Sequence, residues 1–300
     1  MRKSYSIIAV SLFILLTMSS SIFAQKEIKK VFEQQEKIKM KLALGSLIIN
    51  KSTSDKIHVF LEYTFDDDNF EAVFKEKSRY LQIEEKFYGG NPKGFSKWEL
   101  SVPDGVEIDF NTGTGDLTIE GVNVEIGGNT GTGDIEIIKS VGKYKLNTGT
   151  GEILVHLSEG DFNVNAGTGR VYIEDSTGDF HANSGTGGVE AKNITLLEDG
   201  SFNVGTGNAY VKAPKGNDFV LTVNSGTGDA TLDMDGQKLQ GYFELSANKR
   251  GGRIKSSVKF DKEEEYGNGY GTIIQKSFTA GKESPEYYIS TGTGKAELKE

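Results

Sequence analysis

Asn111-Thr-Gly-Thr-Gly-Asp-Leu-Thr-Ile119 is followed eighteen residues later by Asn129-Thr-Gly-Thr-Gly-Asp-Ile-Glu-Ile137, and again by Asn147-Thr-Gly-Thr-Gly-Glu-Ile-Leu-Val155. The motif recurs from Asn165 (with Ala166), Asn183 (with Ser184), Asn203 (with Val204) and Asn224 (with Ser225). A last copy reads Ser290-Thr-Gly-Thr-Gly294. The first five starts are 18 residues apart, the next two gaps are 20 and 21, and 66 residues precede the final copy. A fixed period of this length marks a repeat architecture, in which each unit buries its apolar face only against its neighbours.

The flanks alternate with period two, as half-buried strands do. After the turn the apolar pairs are Leu117/Ile119, Ile135/Ile137, Ile153/Val155, Val171/Ile173, Val189/Ala191, Ala209/Val211 and Ala230/Leu232. Before it stand Tyr144/Leu146, Phe162/Val164, Phe180/Ala182 and Leu221/Val223. Each repeat thus holds two strands, a Gly-Thr-Gly turn and a more variable second turn, such as Ser140-Val-Gly-Lys or Ser158-Glu-Gly-Asp. Two strands alone cannot bury a face. The expected fold is all-β: a β-solenoid of stacked rungs of roughly 18–21 residues, a single elongated domain with a degenerate β N-terminal cap. An antiparallel meander of hairpins is the alternative, and the identity of equivalent positions favours stacking.

Both glycines of the turn are present in every copy, beginning with Gly113/Gly115, Gly131/Gly133 and Gly149/Gly151. The expected cause is a positive φ, or rungs too close for a Cβ. The threonine between them is equally constant (Thr114, Thr132, Thr150 and their successors). Its hydroxyl is expected to bond turn backbone or the neighbouring rung, as is the asparagine column of Asn111, Asn129 and Asn147.

The ends bound the setting. Met1-Arg-Lys3, an apolar run from Ile7 to Met18 and Ile22-Phe-Ala24 have the layout of a signal peptide cleaved after Ala24. The expected domains are therefore 1–24 signal peptide, 25–100 degenerate β cap and 101–300 repeat domain. Within the cap, Ala43-Leu-Gly-Ser-Leu-Ile-Ile-Asn50 reads as an imperfect rung, and Glu27 to Lys39 reads as a short helix or an edge strand. Asp261-Lys-Glu-Glu-Glu265 with Gly267 to Gly271 reads as an exposed loop. The chain has 34 basic and 43 acidic side chains; loss of Arg2 and Lys3 leaves 34 − 2 = 32 and a net charge of −11. That argues against nucleic acid and against anionic lipid. There are 38 glycines, four prolines and no cysteine, so stability rests on burial and backbone ladders rather than disulfides. No later stretch is long and apolar enough to cross a membrane as a helix.

Trp98-Glu-Leu-Ser-Val-Pro-Asp-Gly105 before the first motif, the degenerate Gly45-Ser-Leu-Ile-Ile49 rung and the final Gly-Thr-Gly-Lys-Ala-Glu-Leu298 resemble the bacterial putative-adhesin family over roughly residues 30–300. The resemblance implies an exported β-solenoid of unassigned biochemical role. It carries over no catalytic residue.

The sequence offers residues for three chemistries. Asp116, Asp134 and Glu152 follow successive turns, and stacking would set them about 5 Å apart; hard oxygen ligands at that spacing suggest calcium. His58, His156 and His181 show no pairing at ligand spacing, and His156 reads as solvated. A polysaccharide-cleaving site would need convergent carboxylates or an Arg/Lys base cluster on one face, and the outward positions Thr118, Glu120, Glu136, Leu154, Tyr172 and Glu174 are mixed. The pairs Thr112/Thr114, Thr130/Thr132 and Thr148/Thr150 suggest a two-column threonine array of the ice-binding kind, broken by Ala166, Ser184, Val204 and Ser225. The function expected is a non-enzymatic, extracytoplasmic structural or interaction module, an adhesin without cofactor, that meets a protein or glycan of the cell envelope. Calcium-stabilised or glycan-binding solenoids are the alternatives. N-terminal sequencing of the exported protein is expected to start at Gln25; a mature chain retaining the Ile7–Met18 segment would contradict the reading.

Overall fold

A computed structural model describes residues 25–90, 92–267 and 271–300; the expected signal peptide and its cleavage after Ala24 lie outside the described residues. All secondary structure there is β, and 23 strands join one continuous sheet. The pairing decides between solenoid and meander. Asn123–Thr132 runs parallel to Val141–Thr150 with Asn129 opposite Asn147 and Thr132 opposite Thr150. Ile135–Ile138 runs parallel to Ile153–His156 in the same register. Equal repeat positions therefore stack, as in a solenoid.

Burial follows the period. Leu117, Ile119, Ile135, Ile137, Ile153 and Val155 are at most 1% exposed, so the post-turn strands line the core with every second side chain. From the pre-turn strands, Tyr144, Phe162 and Phe180 stack ring on ring, with centroids 5.1 and 5.2 Å apart and planes within 9°. This spacing is the rung spacing expressed in side chains. The 20-residue repeat keeps the register by bulging: Gly178 faces Leu196 and Phe180 faces Gly200, so the extra residues leave the ladder and Leu197 is exposed.

Stack order departs from chain order at both ends. Lys37–Lys41 and Ser46–Lys51 form a rung directly on Val106–Thr114 and Leu117–Glu120. Tyr80–Phe87 and Ser96–Val102 form a further rung outside it. The imperfect rung read at 43–50 thus takes a regular place, and the 25–100 segment continues the stack across the boundary expected at residue 101. Antiparallel strands close this end: Phe70–Glu76 on one face, and Ile57–Tyr63 followed by Lys26–Phe32 on the other. Of the two readings of Glu27 to Lys39, no helix forms: Lys26–Phe32 is an edge strand, and the segment's end enters the Lys37–Lys41 strand, which is paired on both sides. At the opposite end Glu286–Lys299, last in the chain, stacks on Val220–Thr227 and Ala230–Asp233. Gly241–Asn248 and Gly252–Lys255 lie outside it. Thr272–Ala280 and Lys262–Gly267 then add antiparallel. The loop expected at 261–265 is in fact this last strand. Its side chains are all exposed, so it lacks the apolar alternation that betrays a strand, and backbone pairing alone defines it. Outer strands rich in Lys and Glu discourage edge-to-edge association.

The first rung has only one turn glycine, Gly45, and its corner is completed from a distance. The buried Glu85 carboxylate accepts the Ala43 and Leu44 amides at 2.8 and 3.1 Å, the Trp98 indole N–H at 2.8 Å and the Ser96 hydroxyl. Four donors satisfy a carboxylate that burial would otherwise penalise heavily. Glu85→Ala orphans the two amides and the indole, and a loss of roughly 3 kcal/mol in urea unfolding is expected; an unchanged midpoint would contradict this account.

Candidate functional site

The repeated polar residues of the Gly-Thr-Gly corner divide into those that hold the stack and those left free. Asn129, Asn147, Asn165 and Asn183 each donate from Nδ2 to the Oδ1 of the asparagine one rung back, at 2.7–2.9 Å. The first threonine points inward. Thr130 and Thr148 are 2% exposed and donate to the carbonyls of Gly115 and Gly133 at 3.0 and 2.8 Å. Ser184 and Ser225 repeat the bond to Gly169 and Gly207. The expectation placed this role on the second threonine, and that is corrected. Thr114, Thr132 and Thr150 are exposed, and among the described residues no hydrogen bond engages their hydroxyls. Strand parity explains it: Leu146 faces in, Asn147 out, Thr148 in. With the first column buried, the two-column threonine array does not form.

Asp116, Asp134 and Glu152 do stack, and the first two carboxylates serve the backbone. Asp116 Oδ1 accepts the Asp134 amide at 2.9 Å, and Asp134 Oδ1 accepts the Glu152 amide at 2.7 Å. Asn208 and Asp229 do the same for Asp229 and Lys295, both at 2.9 Å. On these rungs the position supplies an oxygen acceptor, and Asn does so as well as Asp. Burial pushes the Asp229 carboxyl up, but the Lys295 ammonium, 3.1 Å away, and the Lys295 amide bring it below the usual aspartate range.

Among the described residues, the grouping whose ligand atoms lie within 4.8 Å of one another is His156, Glu174 and Asp175. His156, read as solvated, is half-buried and faces Glu174 across the ladder.

The second corner carries an arrangement that the sequence reading passed over. Lys139, Leu157, Asp175 and Asn193 all adopt φ near +50°, a left-handed turn made without glycine. The serine that follows three of them is buried. The Ser158 hydroxyl accepts the Ser140 amide at 3.2 Å and donates to the His156 carbonyl at 2.9 Å; Ser176 likewise accepts from Ser158 and donates to Glu174. The eighteen-residue recurrence of Ser140, Ser158 and Ser176 was the available signal.

Several open grooves interrupt the surface, and two of them lie on the regular rungs. One, of about 360 Å³, lies on the pre-turn face around Gly127 between Glu125 and Lys145. The other, of about 600 Å³, lies on the post-turn face around Gly188, flanked by Arg170, Tyr172, Asn208 and Tyr210.

Asp134→Ala leaves the Glu152 amide without its acceptor, and a loss of about 1 kcal/mol is expected in chemical unfolding, while Asp134→Asn retains the bond and most of the stability. Equal losses in the two variants would show that charge, and hence a bound cation, matters more than the hydrogen bond.

The profile of the Toastrack DUF4097 family matches residues 35–259. No curated protein matches the chain at a significant level. Solved structures that align with it include a putative cell adhesion protein from Clostridium sporogenes ATCC 15579, with 15% identity, a TM-score of 0.25, and coverage of 92% of this chain and 99% of that one. A putative adhesin from Parabacteroides merdae ATCC 43184 aligns with 12% identity and a TM-score of 0.34, covering 92% and 96%. A putative lipid binding protein from Parabacteroides distasonis ATCC 8503 aligns with 12% identity and a TM-score of 0.37, covering 70% and 89%. No described helix is long and apolar enough to cross a membrane. With the family profile spanning more than half its length, this chain belongs to the Toastrack DUF4097 family.

Proposed function

We propose that the protein is a non-enzymatic binding module of the extracytoplasmic space, an adhesin that meets its partner with the outer face of the stack. The observation that carries this reading is how the recurrent polar groups are used. The asparagines, inward threonines, serines and the Asp116, Asp134 and Asp229 carboxylates are engaged in bonds between rungs. Among the side chains left free for recognition is the outward column of the post-turn strands, where Glu136, Leu154, Tyr172, Glu190 and Tyr210 follow one another across paired strands. Parallel pairing fixes these side chains at about 4.8 Å intervals, so the column is ordered before a partner arrives and little conformational entropy is lost on binding. The acidic balance of the chain turns it away from nucleic acid and anionic membrane.

Labelled mature protein is expected to bind envelopes of the producing cell saturably. A combined Leu154→Ala, Tyr172→Ala and Glu190→Ala variant is expected to lose that binding while keeping its melting temperature. Binding that is absent in the parent protein, or untouched by the face variant, would argue for a purely structural role.

A further inference from the structure

The corner glycines have a strong backbone reason to exist, and Gly188 has a much weaker one. A Cβ on Gly149 would come to 2.5 Å from the Gly131 carbonyl oxygen, and one on Gly187 to 2.0 Å from that of Gly169. Gly188 carries no positive φ, and its nearest neighbour would be the Asn208 carbonyl oxygen at 3.2 Å. The same column holds Arg170 one rung before and Asn208 one rung after. A side chain fits there on every neighbouring rung, so its omission at 188 opens a notch in an otherwise continuous face.

The notch has built walls. Tyr172 and Tyr210 stand on the rungs to either side, two rungs or about 10 Å apart. Both phenol tips are tied down. Arg170 donates to the Tyr172 oxygen at 2.9 Å, and the Tyr210 hydroxyl donates to Asp233 at 2.8 Å. Burial and that bond to Asp233 both raise the Tyr210 phenol above its ordinary range, so it stays a neutral donor. The Lys299 ammonium sits 5.7 Å from the Tyr210 ring centre and belongs to a rung on the far side from Glu190. The opposite ring face is left toward the notch. Glu190, between the tyrosines, is paired with Lys192, which lies along the strand away from Gly188. That pair draws the carboxylate aside instead of letting it fill the gap.

We propose that this groove is a saccharide site, taking two or three units of a neutral pyranose oligosaccharide against the faces of Tyr172 and Tyr210, with Arg170, Glu190 and Asn208 as hydrogen-bonding rim. The inference rests on the binding-module reading above. Aromatic faces flanked by planar polar groups suit the alternating apolar and hydroxyl surfaces of a sugar ring. A peptide that binds by adding a strand would need an unpaired strand edge, and the strands here pair on both sides. The lining carries three acidic groups, Glu190, Asp229 and Glu297, against three basic ones, Arg170, Lys295 and Lys299; this even balance favours a neutral ligand over a strongly acidic one.

The test is binding of the mature protein to an array of neutral di- to hexasaccharides, with titration of the best binder. Tyr172→Ala and Gly188→Gln are each expected to weaken binding about tenfold, the equivalent of about 1.4 kcal/mol. Gly188→Gln sets a Cβ 3.2 Å from the Asn208 carbonyl oxygen, so a small drop in melting temperature is expected; Tyr172→Ala adds no atoms and tests the site without that contact. Binding that survives both variants places the site elsewhere and overturns the proposal. Failure to bind any saccharide, with saturable binding to cell envelopes retained, overturns the saccharide site and leaves the binding module standing. Failure of both overturns both.

Discussion

The contact on which the rest of the structure depends is a backbone carbonyl packed against the Cα of a glycine one rung away. At Gly133 a Cβ would stand 2.1 Å from the Gly115 oxygen, and at Gly151 it would stand 2.1 Å from the Gly133 oxygen. These approaches lie well inside van der Waals contact, so only glycine lets the rungs come together at the corner. φ values of +152° at both positions reinforce the restriction. Once the corners are locked, the strands on either side have no freedom to slip. A slip of one residue would carry the whole apolar set from the core to solvent.

Around that contact the side chains add redundancy. The asparagine column, the inward threonines and the post-turn carboxylates fix one corner, and a buried serine column fixes the other. Each bond adds only about 1 kcal/mol. Repetition over many rungs makes the sum large and holds the outer faces stiff. The ends are handled differently. Glu85 completes a corner that lacks its glycine pair, and antiparallel strands with charged, exposed side chains close the stack.

Much of this was legible in the sequence because it is local and periodic. The eighteen-residue spacing of Asn111, Asn129 and Asn147 set the rung, and pairs such as Ile135/Ile137 marked what faces in. The misreadings have physical causes. Lys262–Gly267 pairs through its backbone alone, and no side-chain pattern reveals such a strand. The placement of Glu286–Lys299 between Val220–Asp233 and Gly241–Lys255 depends on contacts between residues far apart in the chain. The corner at Ala43–Gly45 is finished by Glu85 some forty residues away. The left-handed turns at Lys139 and Leu157 use no glycine. The inward threonine was within reach, since parity from Leu146 already put Thr148 inside. The groove at Gly188 was hidden in plain view, because in a chain so rich in glycine one more draws no notice until its neighbours Arg170 and Asn208 show that side chains occupy this column.

The central claim is the register that the corners impose, and it reaches furthest where the last motif copy closes on Thr227 after a 66-residue excursion. The chain has no cysteine, so engineered pairs can be read without interference. Thr227 and Thr293 are ladder partners, both exposed at the corner; at about 4.8 Å their Cα atoms are within disulfide range, whereas Thr206 and Thr293, two rungs apart, are beyond it. Oxidation of the Thr227→Cys/Thr293→Cys variant is expected to cross-link it intramolecularly and to leave the Thr206→Cys/Thr293→Cys variant unlinked. The reverse result, or no bridge in either, would contradict the stacking order and the role given to the glycine corner.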